Sequence, residues 1–166
     1  AEQPEPDWTR VIDVNLNGTY RAIRSALPHM MRQGEGRIVT ISSIYGRMGG
    51  FGYVSAYAAS KHGVIGLTKT AALEFATMNI RVNAVCPAVI RNTVMIERLA
   101  VTYPEVVAAL EASHPMGRAG QPEEVAAAYR TTEKQVRTAL APPPRKAPST
   151  AFGRFFAVYG DSRTWT

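Results

Sequence analysis

Two short β-branched runs separated by one long helical pattern set what this chain can fold into. The first run, Arg37 to Ser42, follows Gly34 and Gly36, and the second, Ile80 to Cys86, is stopped by Pro87. Short apolar runs bounded by such breakers read as buried strands. Between them, from Ser55 to about Met78-Asn79, Val64, Leu67, Ala71 and Phe75 recur along one side of a helix. Strand, helix, strand at this spacing predicts a βαβ unit, whose parallel strands need a right-handed crossover. The fold class that follows is α/β, a parallel sheet with flanking helices.

Upstream, Ile12, Leu16, Tyr20, Ile23, Leu27 and Met30 recur at helical spacing, which predicts one helix over 7–32. Asp7 or a neighbour caps it, Pro28 bends it near its end, and Gln33-Gly34-Glu35-Gly36 stops it. Downstream of the second strand the pattern gives a loop over Ala88 to Asn92 and short helices at Val94 to Ala100 and Pro104 to Ser113. A loop follows from His114 to Pro122, and Pro122-Glu123-Glu124 opens a further helix with proline and acids in its first turn. Past Ala128 the character changes: residues 129–166 carry the Pro142 to Pro144 run and show no period after Leu140. The chain thus divides into a folded unit over 1–128 and a divergent, poorly ordered tail over 129–166.

Charge follows the same division. Residues 1–128 hold 12 Lys and Arg against 11 Asp and Glu, whereas 129–166 hold 7 against 2, so most of the net charge of +6 belongs to the tail. That distribution argues against a specific nucleic-acid surface on the folded unit. No apolar run is long enough to span a bilayer, and AEQPEPDW has neither a basic nor an apolar leader pattern, which predicts a cytoplasmic protein with no membrane partner. Cys86 is the only cysteine, so no internal disulfide can form, and its place at a strand end predicts a buried core residue. His29, His62 and His114 lack metal-ligand spacing, and no metal site is expected.

The chemistry is concentrated between the two strands. Tyr57 and Lys61, four residues apart, share one helix face, so an ammonium can sit near a phenol and favour its ionised form. Ser43, at the carboxyl end of the first strand, points into the crevice where open α/β sheets bind ligands. Serine, tyrosine and lysine together suit proton transfer at an oxygen, as in carbonyl reduction, better than acyl transfer. Gly46, Gly50 and Gly52 imitate a phosphate-binding glycine spacing, but they lie between Ser43 and Tyr57 and no strand-end acid follows at the right distance. The spacing is therefore rejected as a phosphate site.

These residues resemble the short-chain dehydrogenases/reductases. The resemblance rests on Val14-Asn15-Leu16-Asn17-Gly18, Gly36-Arg37-Ile38-Val39 leading to Ser42-Ser43, Tyr57-Ala58-Ala59-Ser60-Lys61, and Arg81 to Pro87. Gly117-Arg118 followed by Gln121 to Ala126 completes it, and it covers about residues 6 to 128. It implies a Rossmann-like doubly wound sheet and an NAD- or NADP-dependent oxidoreductase acting on a secondary alcohol or ketone. By the same resemblance Tyr57 is the general acid/base, Lys61 assists it and holds the nicotinamide ribose, and Ser43 orients the substrate oxygen. Asn15 supports a proton relay, and Pro87 and Ile90, with Asn92 or Thr93 in place of the usual threonine, face the nicotinamide. Helices 7–32 and 55–78 correspond to the family's subunit interface, which implies a homo-oligomer.

Three departures accompany the resemblance. Pro87-Ala88 stands where the family has Pro-Gly, the intervals from Ser43 to Tyr57 and from Pro87 to Thr93 are about one residue longer than usual, and the family's opening Gly-rich half has no counterpart before Ala1. The strand over 37–42 is then expected to present an unpaired parallel edge. An impaired fragment, or a noncatalytic remnant that assembles through its helices, stays open beside the active enzyme.

Overall fold

The computed structural model describes residues 3–50, 52 and 54–128 of the chain, and the tail over 129–166 lies outside them. Helix α1, Glu5–Ile12, begins after Pro4, whose carbonyl accepts from the amides of Asp7 and Trp8 at 3.1 and 3.0 Å. Asp7 is therefore not the cap. It lies with Glu5 inside the first turn, where a carboxylate favours the positive end of the helix. The expected continuous helix is interrupted by a π-turn at Asp13–Asn17 before α2 resumes over Gly18–Gln33. Pro28 stays inside α2, so the break in regular winding falls well upstream of it. Gly34 ends α2 at a φ of 75°, a left-handed conformation that glycine adopts without steric cost.

Strands β1, Gly36–Ile41, and β2, Ile80–Val85, pair in parallel, from Gly36 opposite Ile80 to Ile41 opposite Val85. The ladder runs on past both strands, with the Ser42 amide donating to Val85 at 2.8 Å and the Ile44 amide to Pro87 at 3.0 Å. Among the described residues no strand pairs with the other edge of β1. Helix α3, Ser55–Glu74, is the crossover, and a short 3-10 turn at Ala76–Met78 leads from it to β2.

The main core lies where α2 and α3 cover the sheet. Ala71, Ile80 and Val82 are buried there, packed by Leu27, Met30, Ile38, Ala72 and Phe75. Each fully buried Ile or Val contributes about 1.5–3 kcal/mol relative to exposure. The buried stripe of α3 is only partly apolar, because it runs Ala56, Ser60, Val64, Thr68, Ala71. Thr68 donates to the Val64 carbonyl and shares a 2.7 Å hydrogen bond with Thr40 of β1, so the polar members of the stripe are satisfied inside the core.

A second, smaller core follows β2. Val89, Ile96, Val107 and Ala119 are buried together, with Leu99, Ala100 and Leu110 against them. It is built from α4, Val94–Thr102, and α5, Pro104–Ala112. The loop expected before Pro122 is observed, and it is tied back to the chain after β2 by an isolated parallel bridge between Ile90 and Gly120. Helix α6 over 122–128 then starts with a back-bonded cap: Glu124 accepts the Gln121 amide at 2.8 Å and a bidentate pair from Arg118 at 2.7 and 2.9 Å. Cys86, expected in the core, is only half-buried, since it sits one residue past β2. None of the described helices is long and apolar enough to cross a membrane.

Candidate active site

The carboxyl ends of the two strands meet the start of α3, and the hydrogen bonds at that junction are made mostly by side chains to backbone. Ser42 is buried and donates to the Lys61 carbonyl at 2.9 Å. Lys61 answers in the opposite direction, with its ammonium donating to the Ile41 carbonyl at 2.9 Å. Consecutive residues of a strand turn their polar backbone groups to opposite edges, and Ser42 and Ile44 both donate toward β2. The Ile41 carbonyl therefore points to the open edge of β1, and Lys61 covers it.

Ser43 is 7% exposed and starts the 3-10 turn Ile44–Gly46, its Oγ accepting the Tyr45 amide at 3.2 Å. That bond occupies an acceptor site of the hydroxyl and leaves its O–H as the donor. The turn is pressed against α3 at Gly46. A Cβ at this position would collide with Ser42 Oγ, lie 2.8 Å from the Lys61 carbonyl oxygen and 3.0 Å from Ile65 Cδ1. Gly46 is thus required for close approach of the turn to the helix.

Tyr57 lies in the first turns of α3, half-buried, with the Lys61 ammonium 5.5 Å from its ring centroid. The expected proximity of cation and phenol is present, with the cation over the ring. Burial pushes the Lys61 ammonium's pKa below the usual lysine value. Tyr45 is also half-buried; burial, and secondarily the nearby Tyr57, push its phenol above the usual value. Asn15 reaches this junction from the π-turn. Its side-chain amide donates to Ser60 Oγ at 3.1 Å, and Ser60 donates in turn to the Tyr57 carbonyl at 2.7 Å. The Asn15 carbonyl accepts the Thr19 hydroxyl at 2.7 Å.

Of the residues singled out from sequence, Asn15, Ser43, Tyr57 and Lys61 converge on this junction. Pro87 joins them through its carbonyl, which accepts from Ile44 next to Ser43. Ile90 and Thr93 belong to the loop leading into the second core. There the Thr93 hydroxyl caps α4, accepting the Ile96 amide at 3.4 Å and donating to the Ile90 carbonyl at 3.1 Å. Asn92 adopts a φ of 57° and donates to the Gln121 side chain at 3.3 Å. Sequence reasoning gave no role to Ser42, Tyr45 or Ser60. Ser60 could have been found from its place in the buried stripe of α3, one turn beyond Tyr57 on the side of Ala56 and Val64.

The donor set fits the nicotinamide-ribose half of a dinucleotide. An ammonium carries three N–H donors, of which the Ile41 bond uses one, and it stands beside a phenol at the carboxyl ends of parallel strands. Residues 1–131 match the family model described as enoyl-(acyl carrier protein) reductase. The chain is 49% identical over 123 residues to a 3-oxoacyl-[acyl-carrier-protein] reductase, FabG, of Thermotoga maritima, covering 74% of this chain and 48% of that protein. It is 45% identical over 119 residues to a cyclohexanol dehydrogenase of Acinetobacter, covering 72% and 44%. Among solved structures, ElxO with NADP bound superposes with a TM-score of 0.70 at 38% identity, covering 78% of this chain and 52% of that one. The chain spans about half the length of the curated relatives it matches.

Proposed function

The chain belongs to the short-chain dehydrogenase/reductase family, and on that footing we propose that it carries the catalytic groups of an NAD(P)-dependent oxidoreductase acting on a secondary alcohol or ketone. The observation that carries the reading is the placement of Lys61, whose ammonium lies between the Tyr57 ring and the end of β1 from which Ser43 projects. A bound nicotinamide supplies or accepts the hydride. Ser43, its Oγ already accepting from Tyr45, donates its O–H to the substrate oxygen and fixes it. Tyr57 gives the proton to that oxygen in reduction and takes it in oxidation. Lys61 holds the ribose hydroxyls while keeping its charge beside the phenol. Asn15 acts through Ser60 and the Tyr57 carbonyl, anchoring the turn that presents Tyr57. Pro87 and Ile90 offer backbone groups to the carboxamide, with Thr93 holding the Ile90 carbonyl. The same reading places assembly of copies along helices 7–32 and 55–78.

The test is titration of the purified chain with NADH and NADPH, followed by fluorescence, for wild type, Tyr57→Phe and Lys61→Ala. Saturable binding is expected. Lys61→Ala should weaken it about tenfold or more, from lost hydrogen bonds to a charged donor. Tyr57→Phe should bind within about twofold of wild type and lose turnover of secondary alcohols. Equal binding by wild type and Lys61→Ala would overturn the assignment of Lys61.

A further inference from the structure

Ser42 makes a hydrogen bond that the fold does not require. Its Oγ donates to the Lys61 carbonyl at 2.9 Å, yet that carbonyl belongs to the interior of α3, where the helical ladder already supplies it with an amide. Removing the hydroxyl would therefore leave no buried backbone group unsatisfied. What the bond does fix is position. It joins the end of β1 to the root of the Lys61 side chain, while the ammonium at the tip of the same side chain donates to the Ile41 carbonyl at 2.9 Å. Ile41 and Ser42 are neighbours in the chain, so the lysine is pinned at both ends to one dipeptide. The root contact is also shielded. Ser42 is buried, and the Gly46 backbone closes over it, since a Cβ there would collide with Ser42 Oγ and stand 2.8 Å from the Lys61 carbonyl oxygen. Water has no room to take the place of a bond enclosed in this way.

We propose that Ser42 is a positioning residue for Lys61, holding the root of its side chain so that the ammonium stays between the Tyr57 ring and the end of β1, where a nicotinamide ribose would meet it. The step to the ribose rests on the oxidoreductase reading of the site; the hold on Lys61 does not. A lysine stem is flexible and loses much rotamer freedom when its head is fixed, so an anchored root makes it easier to present the ammonium to a ligand. The head is also held against an opposing effect, since Lys61 is half-buried and burial disfavours its charge. Thr68 supplies the comparison. Its hydroxyl also joins α3 to β1, through the 2.7 Å bond to Thr40, but about two turns beyond Lys61.

The test is NMR of the full chain carrying isotopically labelled lysine, for wild type, Ser42→Ala and Thr68→Val, with the Lys61 ε-methylene signal assigned by its loss in Lys61→Ala. In wild type the paired ε-protons of Lys61 should have separate shifts, because a stem fixed at both ends holds them in unlike surroundings. Ser42→Ala should merge them toward the single shift of a mobile lysine and weaken NADPH binding, followed by fluorescence, about threefold or more. Thr68→Val, which removes a buried hydrogen bond between the same two elements, should keep the shifts separate and bind NADPH within about twofold of wild type. Shifts that stay separate in Ser42→Ala, or merge equally in both variants, overturn the role of Ser42: the lysine would then be held without the hydroxyl, or by the packing of α3 as a whole. Shifts merged by Ser42→Ala alone, in a chain whose wild type binds no NADPH, uphold Ser42 and overturn the oxidoreductase reading.

Discussion

Substituting Gly46 by alanine tests whether the site is held by close approach of the Ile44–Gly46 turn to α3. The new methyl would be 2.8 Å from the Lys61 carbonyl oxygen, whereas ordinary contact begins near 3.4 Å, and it would collide with Ser42 Oγ. Ile65 Cδ1, at 3.0 Å, can rotate away. The Lys61 carbonyl is backbone in the interior of α3 and cannot, so the turn must retreat by about 0.6 Å, an overpacking strain of about 1–3 kcal/mol. The retreat stretches the 2.9 Å bond from Ser42 to Lys61, costing about 1 kcal/mol more, since Ser42 is buried and has no water to replace it. Gly46→Ala should therefore destabilise the fold by about 2–4 kcal/mol. Urea unfolding followed by far-ultraviolet circular dichroism reads this as a lowered midpoint at unchanged slope. Gly49→Ala is the control: nothing lies within 4 Å of a Cβ there, and the change should stay within about 0.5 kcal/mol of neutral. If Gly46→Ala behaved like Gly49→Ala, the turn would not be clamped, and Ser43 would not be preorganised.

Two further outcomes follow from the hydrogen bonds. Ser60→Ala deprives the Asn15 amide of its acceptor in a fully buried position and should cost about 1–3 kcal/mol in the same unfolding assay; a change below about 0.5 kcal/mol would mean that Asn15 does not anchor α3. The cap of α6 gives a pH dependence. The Arg118 guanidinium, with the Gln121 amide, holds the Glu124 carboxyl down at about 2, against an ordinary value of 4.5. A depressed carboxylate leaves the folded state binding fewer protons than the unfolded one, so its stabilisation is present above about pH 4.5 and is lost as pH falls through about 2. Wild type should thus be more stable than Glu124→Gln near pH 6, and the two urea midpoints should converge toward pH 2; a constant gap would show that ionisation of Glu124 is not what stabilises the cap.

The strands were legible because their limits are local. Gly36 and Pro87 bound the two β-branched runs; the first observed strand is shifted back by one residue at each end, and the second starts at Ile80 as expected and stops one residue early. The start of α3 at Ser55 and the first turn of α6 were legible for the same reason. The π-turn at Asp13–Asn17 was not. It shifts the hydrogen-bond pattern by one residue, with the Gly18 amide donating to Asp13, while Ile12, Leu16 and Ile23 keep an apparent helical period. Its tie to the rest of the fold is tertiary, since the amide of Asn15 meets Ser60, 45 residues away in sequence. Hydrophobic periodicity also misjudged α3, whose buried face contains Ser60 and Thr68. Their partners, Asn15 and Thr40, come from other elements and cannot be seen in a single helical pattern.

Those hidden hydroxyls bear on how the site is kept in place. Around Tyr57 the buried residues of α3 are Ala56 and Ser60, which are too small to fix a helix by interlocking of large side chains. Three hydrogen bonds to other elements do it instead: the Ile41 carbonyl accepts from Lys61, the Lys61 carbonyl from Ser42, and the Ser60 hydroxyl from Asn15. Two of these bonds run in opposite directions between the end of β1 and the same residue of α3, so a shift of either element strains both. The small side chains let the helix come close enough for these bonds to form, and among the described residues no buried side-chain polar atom is left without a partner. Tyr57, Lys61 and Ser43 thus belong to one hydrogen-bonded frame. The geometry that proton transfer needs depends on directional bonds, which tolerate little displacement, more than on apolar packing, which tolerates some.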